Sequence, residues 1–173
     1  MTVVVGTPVT FATADFDVGT KSLNGVVAVD FDTTGMAAGE HCGVAMNRRG
    51  NRVDGGGAVG GANRLWWEAE GVFVNSAGDV FVEMWFQSLS CRPEFVSVKV
   101  GSVGANKRWR LTHTTTGTSR SWTVHALSAL GGTLGTLLAS GSGETGANND
   151  MRSTFFSPFS TSGGVTFQCT RKD

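Results

Sequence analysis

Two short acidic triplets, Asp15-Phe16-Asp17 and Asp30-Phe31-Asp32, are the first places where residue type and spacing could do chemistry. Alternate side chains of an extended strand share a face, so each triplet sets two carboxylates on one side and an aromatic ring on the other. Hard oxygen donors at that spacing suit Ca²⁺, with Asp15, Asp17, Asp30 and Asp32 as ligands. The stronger competing reading is structural: a strand with a buried Phe and two solvated aspartates near its end. No other cofactor is indicated.

Tryptophan and arginine form the second group. The chain carries Trp66, Trp67, Trp85, Trp109 and Trp122. Neighbouring residues of a regular strand face opposite ways, so Trp66 and Trp67 cannot both enter one core. The one left outside is either a platform for a sugar ring or partner protein, or is covered by a neighbouring loop. Arg48, Arg49 and Arg52 begin a Gly-rich stretch running to Gly61 that could supply polar contacts beside Trp66 and Trp67. Basic residues interleaved with an aromatic, as in Lys107-Arg108-Trp109-Arg110, are also the chemistry of single-strand nucleic-acid binding. With fourteen basic residues against fourteen acidic ones the chain has no net field to attract a polyanion, so solvated charge is the preferred reading and no nucleic-acid partner is expected.

Catalytic signatures are weak. A glycosidase needs two carboxylates roughly 5 Å or more apart across a cleft. Glu68 and Glu70 would share a strand face, but the longer acidic ladder of laminarinase-like sandwich hydrolases is missing. Sandwich-fold lyases use a tyrosine as proton shuttle, and the chain contains none. His41, His113 and His125 have no marked nucleophile beside them, and Gly-x-Ser-x-Gly does not occur. Gly101-Ser102-Val103-Gly104-Ala105-Asn106-Lys107 lacks P-loop spacing and reads as a hairpin turn. An enzyme is not expected.

The elements that must position these residues are strands. The chain has 173 residues, 25 of them glycine and only 3 proline, with 16% charged residues, and its length and patterning fit one domain over residues 1–173. In Asp79-Val80-Phe81-Val82-Glu83-Met84-Trp85-Phe86-Gln87, Val80, Val82 and Met84 share one face while Phe81, Glu83 and Trp85 share the other. Asn75-Ser76-Ala77-Gly78 joins it as a hairpin to Gly71-Val72-Phe73-Val74. Further strands are read at Val9–Thr13, Val26–Phe31, Gly43–Met46, Arg64–Glu68, Phe95–Val100, Arg108–His113, Ser121–Leu127, Arg152–Ser157 and Val165–Thr170. Leucines from Leu127 to Leu138 have helical spacing, but Gly131, Gly132 and Gly135 favour a strand, a glycine turn and a second strand. Arg48–Gly61 and Gly141–Asp150 read as long loops. Cys42, Cys91 and Cys169 are odd in number and widely spaced, and read as free thiols behaving as small hydrophobes.

The opening Met1-Thr2-Val3-Val4-Val5-Gly6 has neither the basic region nor the apolar stretch of a signal peptide, so synthesis and folding in the cytoplasm is expected unless a leader has been removed. No run reaches the roughly 18 apolar residues of a membrane span, and no membrane association is expected.

The run Asp79–Phe86 resembles the framework strand of concanavalin-like and laminin-G-like jelly rolls. Lys107-Arg108-Trp109-Arg110-Leu111 and Ser121-Trp122-Thr123-Val124 are similar to their next paired strands, and Gly163-Gly164-Val165-Thr166-Phe167-Gln168-Cys169 to their closing strand. The resemblance implies an all-β, two-sheet antiparallel β-sandwich of jelly-roll type. Such domains serve as sugar-binding modules and as decoration, fibre and tail proteins of bacteriophage particles. The leading expectation is a non-enzymatic structural or adhesive protein of a virion surface, a capsid decoration or tail component that contacts itself as a homo-oligomer and a capsid or tail partner. The alternative is a lectin-like carbohydrate-binding module using Trp66 or Trp67. A glycan-active enzyme using Glu68 or Glu70 ranks third.

Overall fold

Alternating apolar residues force extended chain here, because only a pleated strand places every second side chain in the same core. The computed structural model describes residues 9–10, 24–48, 68–87, 93–116, 119–144 and 154–172. Every regular element among them is a strand: β1 (Val9–Thr10), β2 (Asn24–Asp32), β3 (His41–Arg48), β4 (Glu68–Asn75), β5 (Asp79–Gln87), β6 (Pro93–Ser102), β7 (Arg108–Thr116), β8 (Ser119–Leu127), β9 (Leu134–Glu144), β10 (Thr154–Ser160) and β11 (Thr166–Lys172). They pair antiparallel into a six-stranded sheet, β1-β11-β2-β7-β8-β9, and a five-stranded sheet, β10-β3-β4-β5-β6. This is a two-sheet antiparallel β-sandwich of jelly-roll type.

The facing sides of the sheets supply the core. Across the six-stranded sheet Phe167, Phe31 and Trp109 lie in register, and all three are fully buried. The Phe31 and Trp109 rings stack with centroids 4.4 Å apart and planes 22° from parallel. Such a pair adds about 0.5–1.5 kcal/mol to the burial of the rings. The five-stranded sheet answers with Cys42, Val44, Val72, Val74 and Val80. Cys42 is a free thiol in this core, and burial pushes its pKa far up, so it stays protonated. Cys169 is buried in the same core. Cys91 lies outside the described residues.

One pole of the sandwich is knitted together by four connections. Thr33 N–H donates to the Lys107 carbonyl at 2.8 Å, Ser76 N–H to Glu40 at 2.9 Å, Val103 N–H to Gly78 at 2.7 Å and Thr161 N–H to His41 at 3.0 Å. Where the β2–β3 and β10–β11 connections cross, Gly35 and Gly164 approach so closely that a Cβ on Gly164 would overlap the Gly35 carbonyl oxygen. The strand ends from which residues 49–67 depart and return, Arg48 and Glu68, lie at the opposite pole.

Several expectations need correction. Gly101–Lys107 is not a hairpin turn. It carries the chain from β6 in one sheet to β7 in the other, because Val103 is 2% exposed and plugs the core edge while its N–H is tied to Gly78. The Gly141–Asp150 segment is not loop from its start, since β9 continues to Glu144. Glycine was read as a break, yet a Cβ on Gly141 would stand 2.5 Å from the Trp122 ring, so the indole fills the space that a side chain would need. The strand expected to begin at Arg64 is described only from Glu68, where it is continuous with Gly71–Val74. The strand, turn and strand read across Leu127–Leu138 are β8, a turn through Gly131, and β9.

The Gly35–Gly164 crossing is backbone against backbone, so it cannot relax by side-chain rotation. Gly164→Ala is expected to cost about 1–3 kcal/mol, as overpacking does. At about 2–4 °C per kcal/mol for a domain of this size, the melting temperature followed by circular dichroism falls by several degrees. An unchanged value would show that the two connections part freely.

Candidate functional site

The acidic triplet of β2 is used on both faces of its sheet. Phe31 points into the core, and Asp30, on the opposite face, is also completely buried rather than solvated. Register places Asp30 against Arg110 of β7, which grips it with Nε on one carboxylate oxygen and a terminal nitrogen on the other at 2.9 Å. The bidentate geometry is the strong form of the ion pair, and the hydrogen bond that Arg110 donates to Asp30 raises the Arg110 pKa further. The β8–β9 turn closes the site: Gly131 N–H donates to Asp30 Oδ2 at 2.7 Å, and Arg110 donates to the Gly132 carbonyl at 3.4 Å.

Asp32 is the less enclosed member. Its carboxylate accepts the Thr34 hydroxyl at 2.6 Å, the Thr34 N–H at 2.9 Å and Arg108 Nε at 2.7 Å. Burial raises its pKa, but the Thr34 hydrogen bonds and then Arg108 outweigh that and hold it below the usual aspartate value. Arg108 and Arg110 are thus engaged in intramolecular pairs rather than simply solvated. Trp109 between them is 0% exposed, which removes it as a stacking platform.

Of the sequence-derived candidates, the structure therefore describes Asp30 and Asp32, each facing its own arginine. Arg48 is described as the last residue of β3. Asp15, Asp17, Arg49, Arg52, Trp66 and Trp67 lie outside the described residues. Among the described residues no group of three or more His, Cys, Asp or Glu side chains could hold a metal ion.

A feature that sequence reasoning missed lies on one flank of the sandwich. Strands β6 and β9 are the edge strands of their sheets on that side, and a Cβ on Gly101 of β6 would stand 2.8 Å from Cβ of Ala139 on β9. Around this contact Val98 and Val100 of β6 are 51% and 38% exposed, and Leu134 and Leu137 of β9 are 47% and 51% exposed. Single exposed apolar residues are ordinary, but four on two adjoining edge strands make this flank more apolar than its neighbours need. Both strands carry a bulge: register shifts between Val80 and Phe81 leave Val100 extra on β6, and between Val124 and His125 leave Leu138 extra on β9. Leu134 and Leu137 belong to the run whose spacing suits a helix, and that spacing says nothing of a sheet edge.

No protein-family model matches the chain, and no curated protein matches it. Solved structures match over most of its length at low identity. A functionally unknown protein from Saccharomyces cerevisiae is 12% identical with a TM-score of 0.47, covering 92% of this chain and 71% of that one. A GH43 glycoside hydrolase is 16% identical with a TM-score of 0.43, over 86% of this chain and 29% of that one. A full-length tailspike protein 2 from Escherichia coli O157:H7 bacteriophage CAB120 is 7% identical with a TM-score of 0.43, over 99% of this chain and 25% of that one. The chain thus spans less than a third of the hydrolase and of the tailspike. Similarity at this level assigns no function.

Stripping one partner from a buried ion pair costs about 3–5 kcal/mol, because the other charge is left uncompensated. Arg110 keeps 16% of its side chain exposed, so Asp30→Ala is expected at the lower end of that range. The double variant Asp30→Leu with Arg110→Met removes both charges and is expected to recover most of the loss in urea denaturation. A single-variant cost below about 1 kcal/mol would mean that the pair does not hold the β8–β9 turn.

For Asp32 the folded pKa is depressed, so its contribution is present above the ordinary carboxylate value of about 3.9 and is lost as pH falls through the lower folded value. Asp32→Asn should therefore lower the melting temperature at neutral pH. The difference from wild type should shrink on acidification below about pH 4. A difference that is constant with pH would contradict the assignment.

Proposed function

We propose that this chain is a non-enzymatic structural protein that works by contact with other protein chains, as a capsid-decoration or tail component on the surface of a bacteriophage virion. The observation that carries the protein-contact part is the β6/β9 flank, where two sheet edges adjoin and present Val98, Val100, Leu134 and Leu137 to solvent. Edge strands hold unpaired N–H and C=O groups, and beside exposed apolar side chains they are built to receive another strand or surface. The charges described in detail serve the fold itself: Asp30 with Arg110, Asp32 with Arg108, and Asp79 with Lys99 at 2.7 Å. The virion location draws its support from the neutral, Gly-rich composition and from the resemblance to jelly-roll domains of particle surfaces. On this reading the protein is made in the cytoplasm and ends on the particle.

Immunogold labelling of purified particles from the source, with antibody raised to the purified chain, is expected to decorate their surface. A broad glycan array probed with labelled protein is expected to stay blank, with or without a calcium chelator. Saturable binding to a defined sugar would overturn the reading in favour of a lectin-like module. Loss of that binding with chelator would assign Asp15, Asp17, Asp30 or Asp32 to calcium.

A further inference from the structure

Among the described residues the two sheets end in four edges, and two of them, β10 and β6, show the devices that keep edges from pairing. Strand β1 is described only at Val9–Thr10, so its edge is left aside. Strand β10 contains Pro158, which has no N–H to offer. Strand β6 begins with Pro93 and Glu94, carries Lys99 with 56% of its side chain exposed, and bulges at Val100. Strand β9 is different. It is eleven residues long, has no proline, and has no charged side chain before Glu144. Its two register shifts lie in its first half, and from Ala139 to Glu144 it pairs with β8 without a further shift. Among the described residues no strand pairs with its outer side.

We infer that the outer edge of β9 pairs antiparallel with the same edge of a second copy of this chain, joining two six-stranded sheets into one. This rests on the protein-contact reading above and names its partner. The choice of a second copy follows from charge and symmetry. Of β6, β9 and β10, only β9 offers a long run without charge or proline, Leu134 to Gly143, so two β9 edges set no like charges against each other along that run. A two-fold axis perpendicular to the sheet at Gly141 keeps both outer faces on one side. It sets Ser140 opposite Ser142 of the second copy, and both serines are exposed. The two Glu144 residues then stand six residues apart along the strands, about 20 Å at about 3.4 Å per residue. That exceeds the Debye length of about 8 Å at physiological salt, so they do not repel appreciably. Small residues along Ala139-Ser140-Gly141-Ser142-Gly143 put no bulky side chain in the way. Because β6 lies beside Ala139, the same axis brings the two β6 strands toward the joint, where Val98 and Val100 are exposed.

Sedimentation velocity on the purified full chain tests this. Wild type is expected to dimerise reversibly. Ser140→Lys with Ser142→Lys sets ammonium groups opposite one another across the joint, as cross-strand like charges, and is expected to weaken the dimer at least tenfold. The single variant Ser142→Lys should fall between. Circular dichroism melts confirm that each variant is folded, and Thr161→Lys, at an exposed position on the knitted pole, serves as the control that leaves the dimer intact. Wild type that stays monomeric up to about 100 µM, a concentration at which even micromolar affinity would show, overturns the inference. A dimer that the double variant does not weaken also overturns it while leaving the protein-contact reading standing. A monomer that also fails to label particles brings down both.

Discussion

The register of β2 against β7 satisfies two different demands at once. On the inner face it stacks Phe31 on Trp109, and on the outer face it delivers Asp30 to Arg110. A slip of one residue would exchange the faces of β2, turning a carboxylate into the core and a phenyl ring out of it. Either half alone would favour the pairing by about a kcal/mol, and together they oppose a one-residue slip in either direction. The pairing lies in the middle of the six-stranded sheet, with β11 on one side and β8 on the other, so the strands beyond it inherit its alignment.

From this pairing the structure extends in two directions with different consequences. Toward the knitted pole, Thr33 directly follows β2 and bonds to Lys107 directly before β7, so the register also fixes where the inter-sheet connections meet. Toward the sheet edge, the Asp30 carboxylate reaches beyond its own strand to hold Gly131 in the turn that launches β9. Trp122 then covers Gly141 and steadies the second half of β9. The strand proposed to carry the contact between copies is therefore positioned by a buried ion pair at one end and an indole at its middle. Neither of these groups occupies its outer edge, which no other described strand covers.

The fold was legible because its signals are local and repeated. Val80 and Val82 alternate as half-buried strands must, Asn75–Gly78 is turn chemistry, and the glycines after Leu127 stop a helix that the leucines alone would permit. What stayed hidden depends on partners distant in sequence. Asp30 looked like a solvated carboxylate because nothing near it reveals Arg110, eighty residues away, or the backbone of Gly131. Gly141 looked like a loop because glycine breaks strands unless a large ring needs its space, and Trp122 becomes its neighbour only through the β8–β9 pairing. For the same reason Trp109, flanked by basic residues, read as a stacking candidate, while strand alternation and the apolar ring it meets in β2 send it inward. Edge character is invisible to periodicity, since a strand's pattern is the same at the centre of a sheet as at its margin.

On the proposed reading β9 is a functional edge rather than merely a terminal one. Hydrogen exchange followed by mass spectrometry, on dilute and on concentrated protein, addresses it most directly. Amides of Ala139–Glu144 that point away from β8 should become protected as concentration rises, while those of β2, already paired on both sides, should not change. Exchange in Ala139–Glu144 that is the same at every concentration, with and without particles of the source, would contradict the account.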